Sequence, residues 1–233
     1  MRKILAAAFL TLDGVMQAPG GPEEDRDGGF AFGGWLAARW EDEIGAAMDE
    51  TFRGGFDLLL GRRTYDIFAA HWPFVPSDPS DPGYEPGMAE IGRVFGRVTK
   101  YVATHHPESL AWENTEWLGR DPVAKLREIK TGDGPPLLTQ GSSALIQTLL
   151  AADLIDELRL IVAPVVLGSG KRLFGDGTQP RTLGLVTSRT TPRGTIIATY
   201  QRSGAVEVAS FALEPPTTAE VERRNQATTD GPG

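Results

Sequence analysis

Cysteine is missing from the 233 residues of the sequence. Its absence excludes disulfide bonds, thiolate metal sites and cysteine nucleophiles, and it suits a reducing cytoplasm. Histidine is scarce too: the three are His71, His105 and His106. The last two are adjacent, and adjacent side chains on a strand point to opposite faces. We therefore expect no metal site.

Long apolar runs and an excess of basic charge are also lacking. No stretch approaches the roughly 18 apolar residues of a membrane-spanning helix. The apolar start of the chain is interrupted at Asp13, and no cleavage pattern of a signal peptide follows. The formal net charge of −8 opposes binding to the phosphates of nucleic acid. We expect a cytoplasmic protein that acts on a small molecule, with neither nucleic acid nor membrane as partner.

The most regular pattern lies between Leu137 and Gly168. An apolar strand, Leu137–Thr139, ends at the turn Gln140–Ser143, which is followed by apolar residues at the spacing of a short helix. A second strand with β-branched residues covers Glu157–Ala163. Strand, helix and strand together predict a βαβ unit with parallel strands.

The glycine turn of this unit is a candidate binding site. In open α/β sheets, ligands bind where the carboxyl end of a strand meets the start of a helix. Gly141 has no Cβ, so an anionic group can approach the backbone amides of Ser142, Ser143 and Ala144, helped by the helix dipole. The alternative is that these residues only cap the helix.

A second candidate follows the strand predicted at Phe56–Leu60. Gly61-Arg62-Arg63-Thr64 places two guanidinium groups and a hydroxyl at another junction between strand and helix, which suits a phosphate. The alternative is a pair of solvated arginines. Gly168-Ser169-Gly170-Lys171 is not a P-loop, because that motif needs glycine in place of Val165 and a hydroxyl residue in place of Arg172.

Asp13 is the candidate catalytic residue. It follows the first buried strand, predicted at Arg2–Leu12, and lies on a sharp turn with Gly14. A carboxylate there could bind a substrate N–H or relay a proton, and closure of the loop 16–34 would raise its pKa by burial. The alternative is an Asx turn that ends the strand.

The remaining chain is predicted as one domain, residues 1–213. Helices are expected at 36–52, 65–70 and 122–130, and further strands at 100–104, 112–118, 182–190, 195–202 and 206–213. The segment 16–34 is too polar to join the core, and the prolines of 71–87 exclude regular structure. Residues 214–233 are expected to form a disordered tail.

Four motifs in this order resemble the dihydrofolate reductase-like superfamily, and most closely its branch related to the reductase domain of the riboflavin-biosynthesis deaminase–reductase. The resemblance spans about residues 1–202, and its last motif is the most specific. The motifs are Leu10-Thr11-Leu12-Asp13-Gly14, Gly61-Arg62-Arg63-Thr64-Tyr65, Gln140-Gly141-Ser142 and Val162-Ala163-Pro164-Val165-Val166-Leu167-Gly168-Ser169-Gly170.

The resemblance implies an α/β domain with a mixed, largely parallel central sheet flanked by helices, a homodimer, and NADPH as cofactor, with NADH left open. Gly141, Ser142 and Ser143 would hold the pyrophosphate, and the turn Gly61–Thr64 (Arg62, Arg63, Thr64) would meet the phosphates, including the 2′-phosphate. Thr104 and His105 would border the cofactor at the end of the third strand. Thr11, Leu12 and Asp13 would border the nicotinamide and the substrate.

The implied activity is hydride transfer to a small heterocyclic substrate, pterin- or pyrimidine-like, or to a carbonyl compound. Folate is not supported, because no acid among Glu41, Asp42 and Glu43 can be assigned to orient a pteridine. Two alternatives stay open: a protein of the same fold that binds nucleotide without turnover, and a structural or assembly role.

Overall fold

A computed structural model describes residues 1–212 and 214–229. Its strands are β1 (Ile4–Thr11), β2 (Asp57–Gly61), β3 (Lys100–Ala103), β4 (Thr115–Trp117), β5 (Leu137–Gln140), β6 (Glu157–Ala163), β7 (Thr182–Thr190) and β8 (Ile196–Gly204). They form one sheet in the order β4-β3-β2-β5-β1-β6-β8-β7. All pairs from β4 to β6 are parallel, and β8 pairs antiparallel with β6 and β7. The predicted mixed, largely parallel sheet is confirmed.

The helices are α1 (Asp42–Phe52), α2 (Arg62–His71), α3 (Pro86–Arg97), α4 (Pro122–Thr131), α5 (Ser143–Ala151) and α6 (Thr218–Thr229). Within the described ranges, none of them is long and apolar enough to cross a membrane. Apolar clusters cover both faces of the sheet, one around α5 and the others beneath α1, α2 and α3.

Strand β1 lies at the centre of the sheet. Its sequence Ile-Leu-Ala-Ala-Ala-Phe-Leu-Thr is buried along almost its whole length, because helices cover both faces of a parallel sheet. The βαβ unit predicted at 137–163 is present, but β5 and β6 are not neighbours. Instead β1 lies between them and pairs with both.

The loop before α1 is part of the core, contrary to the expectation for 16–34. Phe30 and Trp35 are buried in the cluster beneath α1. The Trp35 ring nitrogen donates to the Gln17 carbonyl (2.8 Å), and the Gln17 amide donates to the carbonyls of Asp25 (3.1 Å) and Asp27 (3.0 Å). A few apolar side chains therefore anchor a loop whose overall composition is polar.

Three helices differ from the prediction. The helix expected at 65–70 covers Arg62–His71, because the helix begins directly after Gly61, so Arg62–Thr64 form its first turn. The helix expected at 36–52 begins at Asp42, because Glu41 is extended (φ −138°, ψ 152°). Helix α3 was missed, since prolines up to Pro86 indicated irregular structure. Pro86 is the first helical residue, where proline is tolerated, and the Glu85 side chain accepts from the Met88 amide (3.1 Å).

The chain leaves the sheet at Gly204. The predicted strand 206–213 is wrong for 206–212, where Val208 and Phe211 are exposed, and Leu213 lies outside the described residues. Where a disordered tail was expected, α6 is present at 218–229, and Glu220 pairs with Arg223 and Arg224 along it. Residues 230–233 lie outside the described residues, and the domain boundary at 213 stays a prediction.

Candidate functional site

The two turns that the sequence singles out meet in one cavity. It has a volume of about 450 Å³ and lies at the carboxyl ends of β2 and β5. Its walls are the turn Gly61–Thr64, the turn Gln140–Ala144, part of the loop 16–27, and Lys171. We call it the strand-end cavity. Parallel strands present their carboxyl ends at one edge of a sheet, so residues far apart in sequence converge there.

The glycine turn has an unusual backbone. Gly141 (φ +81°) and Ser142 (φ +61°) both adopt left-handed conformations, which serine rarely does. The Ser142 hydroxyl accepts a hydrogen bond from the Gly61 amide (2.9 Å) and so ties the two turns together. Ser143 and Ala144 begin α5 at the cavity wall, where the first amides of a helix have no acceptor within the helix. The turn therefore presents amide donors to the cavity.

Arg62 lines the cavity but is engaged elsewhere. It donates to Asp66 (2.8 Å), to the Ser109 hydroxyl and to the His106 carbonyl (3.2 Å). The hydrogen bond to Asp66 raises the pKa of Arg62 above its usual value. These contacts connect α2 to the segment after β3, so Arg62 is not a freely solvated arginine.

Arg63 and Lys171 are held by two acids of the loop. Arg63 lies 3.0 Å from Asp25 and 3.0 Å from Asp27. Lys171 lies 2.6 Å from Asp25 and 3.0 Å from Asp27. We call these four residues the acidic clasp. It closes one side of the strand-end cavity, and a phosphate bound there would have to compete with the carboxylates.

The acids of the cavity differ in their pKa. Burial acts to raise the pKa of Asp25, but hydrogen bonds from Lys171, the Asp27 amide and Arg63 outweigh it and lower the pKa. The hydrogen bond from Lys171 also lowers the pKa of Asp27. By contrast, burial raises the pKa of Glu24. Among these three acids Glu24 is the one whose pKa is raised, and sequence reasoning did not find it.

Asp13 does not have the predicted titration. Its carboxylate accepts from the Thr11 hydroxyl (2.6 Å), the Gly168 amide (2.8 Å) and the Leu167 amide (3.2 Å). The hydrogen bond from Thr11, followed by those from the two amides, lowers the pKa of Asp13 to about 2, against an opposing effect of burial. The expectation of a raised pKa is wrong. The geometry also differs from the predicted Asx turn, because the Val15 amide donates to the Thr11 hydroxyl (2.9 Å) and not to Asp13. Asp13 instead fastens residues 167 and 168 to the end of β1.

We expect Asp13→Asn to lower stability and leave turnover within a few-fold of the parent. Hydrogen bonds to a charged acceptor contribute about 1.5–3 kcal/mol each, and the amide keeps part of them, so a loss of roughly 1–2 kcal/mol is expected. Because the folded pKa is lowered, the stabilisation is present above the ordinary value of 3.8 and is lost as the pH falls through about 2. Denaturation at pH 7 and pH 2 measures this. A catalytic Asp13 would instead lose turnover roughly 100-fold or more.

The other predicted site residues lie outside the wall of the strand-end cavity. Thr11 is buried and its hydroxyl accepts from the Val15 amide (2.9 Å), while Leu12 is exposed. Thr104 follows β3 and accepts from the His106 amide (3.0 Å), and His105 is exposed beside it. Thr104 and His105 directly precede His106, whose carbonyl accepts a hydrogen bond from Arg62. Their roles in cofactor binding stay predictions.

A second cavity, of about 290 Å³, lies between α1 and the face of the sheet. We call it the sheet-face cavity. Phe9 and Gln140 line both cavities, so the two adjoin at these side chains. The Gln140 side-chain oxygen is buried and has no hydrogen-bond partner among the described residues. A buried polar atom without a partner is costly, and this one lies where a ligand could provide a donor.

The sheet order, together with glycine and arginine turns at its carboxyl edge, defines an α/β protein of the dihydrofolate reductase-like class. The chain belongs to the RibD C-terminal domain family, whose model matches residues 2–197. It is 26% identical over 208 residues to the Bacillus subtilis protein YyaP, covering 87% of this chain and 96% of YyaP. It is 27% identical over 150 residues to YwjB of the same organism, covering 63% and 76%.

Solved structures share the fold at low identity. A putative riboflavin biosynthesis protein from Shewanella sp. PV-4 superimposes with a TM-score of 0.54 at 20% identity, covering 86% of this chain and 99% of that one. A pyrimidine reductase-like protein from Corynebacterium diphtheriae gives 0.52 at 14%, covering 87% and 92%. A deaminase/reductase from Thermotoga maritima gives 0.55 at 16%, covering 87% of this chain and 57% of that one. The predicted family resemblance is confirmed, and the family supports a reductase-like role.

Proposed function

We propose that the protein is an NADPH-dependent reductase that transfers a hydride to a small heterocyclic or carbonyl substrate. The observation that carries the proposal is the convergence of Gly61–Thr64 and Gln140–Ala144 in the strand-end cavity. Backbone amides at a helix start and two cationic side chains are the donors that a dinucleotide phosphate requires.

The residues present fit such a cofactor. Gly141 leaves the backbone open at the cavity, and Ser142, Ser143 and Ala144 offer amides for a pyrophosphate. Arg63 and Lys171 offer cationic donors for a further phosphate. NADPH, when bound, supplies the hydride, and the protein supplies orientation and one proton. NADH stays an alternative cofactor.

Glu24 is the proposed source of the proton. Hydrogen bonds lower the pKa of Asp13, whereas burial raises the pKa of Glu24, which lines the strand-end cavity. One oxygen of Glu24, Oε2, accepts from the Gly20 (2.7 Å) and Gly21 (3.2 Å) amides. A perturbed carboxyl in a cavity is a candidate general acid. The second candidate function, nucleotide binding without turnover, requires the same cavity but no titrating group.

Titration with NADPH, followed by its fluorescence, tests the proposal. A reductase is expected to bind NADPH and to oxidise it when a panel of pterin, pyrimidine and carbonyl compounds is added. Binding without oxidation on any compound would favour the second candidate. A protein that ignores NADPH and NADH would contradict both, and would point to a structural or assembly role.

We further propose that the protein is a homodimer that pairs through the β7–β8 hairpin. Leu185, Val186 and Ile196 are exposed apolar residues on this hairpin, and β7 is an unpaired edge of the sheet. Light scattering after gel filtration is expected to give twice the chain mass of 25.1 kDa. Leu185→Glu is expected to shift the mass toward the monomer, and a monomeric parent would contradict the proposal.

A further inference from the structure

One row of residues crosses five strands at the floor of the sheet-face cavity. Ala7 of β1 pairs with Gln140 of β5 on one side and with Arg159 of β6 on the other. Arg159 pairs in turn with Thr199, and Thr199 with Thr187. Residues paired in register project from the same face of a sheet, and all five line the cavity.

The small side chain of Ala7 creates the hollow in this row. Neighbouring strands are about 4.8 Å apart, so Gln140 and Arg159 flank Ala7 with roughly 10 Å between their backbones. That width accommodates one planar ring with a polar group at each side. The cavity volume of about 290 Å³ likewise suits a single-ring compound.

Donors and acceptors in the cavity wall that have no partner within the protein indicate which groups a ligand would carry. Glu157 is occupied, since it accepts from Arg159 Nε (2.6 Å) and from the Gln201 amide (3.3 Å). Glu50 is paired with Arg189 (3.0 Å). Among the described residues, the bond from Nε to Glu157 is the one hydrogen bond found for the Arg159 side chain, which leaves its terminal nitrogens as donors.

The unused acceptor lies on the other side of Ala7. The Gln140 side-chain oxygen is buried, has no partner among the described residues, and lies where the two cavities adjoin. A complementary ligand therefore carries a donor toward Gln140 and an anionic acceptor toward Arg159. Apolar side chains from three further elements also line the cavity: Phe9 of β1, Met48 of α1 and Ile197 of β8.

We infer that the sheet-face cavity is the substrate subsite and that it takes a planar single-ring carboxylate, with its ring over Ala7, an N–H donor on Gln140 and its carboxylate on Arg159. The inference rests on the proposed function, because it places the reducible ring beside the strand-end cavity. It replaces Thr11, Leu12 and Asp13 as the substrate border.

Matched pairs of probes test this inference. The full chain, saturated with NADP⁺, is titrated calorimetrically with orotate, 4-aminobenzoate and benzoate, and with uracil, 4-aminobenzamide and benzamide. Orotate and 4-aminobenzoate carry an N–H donor opposite the carboxylate, and both are expected to bind at least tenfold more tightly than their neutral counterparts. Benzoate, which lacks the N–H donor, is expected to bind more weakly than 4-aminobenzoate.

Three variants distinguish an effect on probe binding in the sheet-face cavity from an effect on cofactor binding or on folding. Arg159→Gln is expected to reduce the preference for carboxylates to near unity, and Ala7→Leu to abolish binding of all six probes by filling the hollow. Arg202→Gln is the matched control, because Arg202 lies on β8 but pairs with Asp153 and does not line the cavity. NADP⁺ affinity is expected to be unchanged in all three. If Ala7→Leu does not fold, judged by its thermal transition, Arg159→Gln alone decides.

Three outcomes would overturn the inference: a carboxylate preference that survives in Arg159→Gln, unchanged probe binding in folded Ala7→Leu, or no binding of any carboxylate to the parent. Failure of the proposed function is a different result, in which NADP⁺ and NADPH do not bind. In that case the same titrations without cofactor still test the subsite.

Discussion

Gly141→Ala is expected to weaken NADPH binding at least tenfold, or about 1.4 kcal/mol. Gly141 has φ +81°, and a Cβ there would lie 3.5 Å from the side chain of Thr64. An L-residue avoids this backbone conformation, so the turn would shift and move the amides of Ser142 and Ser143 away from the pyrophosphate. Fluorescence titration with NADPH measures the loss. Gly141→Val, with a branched side chain, is expected to lose more.

A control variant must show whether a loss of NADPH affinity in Gly141→Ala results from backbone strain alone or from a change at the binding turn. Gly119 has φ +80°, and apart from its chain neighbours no heavy atom of the described residues lies within 4 Å of where a Cβ would be. Gly119→Ala therefore introduces comparable strain outside the cavity wall, and it is expected to lower the melting temperature like Gly141→Ala while binding NADPH like the parent. Equal NADPH affinity in the two variants would show that the turn at Gly141 does not hold the cofactor.

Arg63→Ala is expected to weaken NADPH binding roughly 10- to 100-fold and NADH binding much less. A charge-assisted hydrogen bond contributes roughly 1.5–3 kcal/mol, and only NADPH carries the 2′-phosphate. Both arginines have partners, but those of Arg63, Asp25 and Asp27, line the strand-end cavity, so its guanidinium group lies at the cavity wall. Arg62 is held by Asp66 and Ser109, which do not line the cavity. Parallel titrations with both cofactors measure the ratio.

The acidic clasp provides the companion variant. Asp25→Asn with Asp27→Asn removes the carboxylates that compete for Arg63 and Lys171, so it is expected to strengthen NADPH binding. Arg62→Ala is the control for Arg63→Ala and is expected to affect both cofactors alike. Equal losses for NADPH and NADH in Arg63→Ala would assign Arg63 to the shared diphosphate, and no loss would leave it a residue of the clasp only.

Local sequence was sufficient to predict the turns of the strand-end cavity. Gly61 and Gln140 end apolar strands, and Arg62 and Ser143 begin the helices that follow. The backbone geometry of each junction depends mainly on the residues within it. The structure confirms that both turns line one cavity. Lys171 was noted only as part of a failed P-loop, because nothing local indicates that it meets Asp25.

The direction of the pKa shift of Asp13, by contrast, could not be predicted from the sequence. The turn at Asp13-Gly14 was visible, but the lowered pKa of Asp13 results first from the hydroxyl of nearby Thr11 and then from the amides of Leu167 and Gly168, which are more than 150 residues away. These donors stabilise the charged form, whereas the sequence suggested only burial, which stabilises the neutral form. Glu24 was overlooked because its burial depends on how the loop 16–34 folds, where it accepts from the Gly20 and Gly21 amides.

The sequence by itself determined the family, most of the alternation of strands and helices, and the two turns of the strand-end cavity, because periodicity and turn chemistry are local properties of the chain. Only the tertiary structure decided that β1 separates β5 from β6, that the polar loop packs into the core, and that Gln140, Ala7 and Arg159 form one row. Strand order and register follow from packing between distant segments. A row across five strands therefore has no signature in any single stretch of sequence.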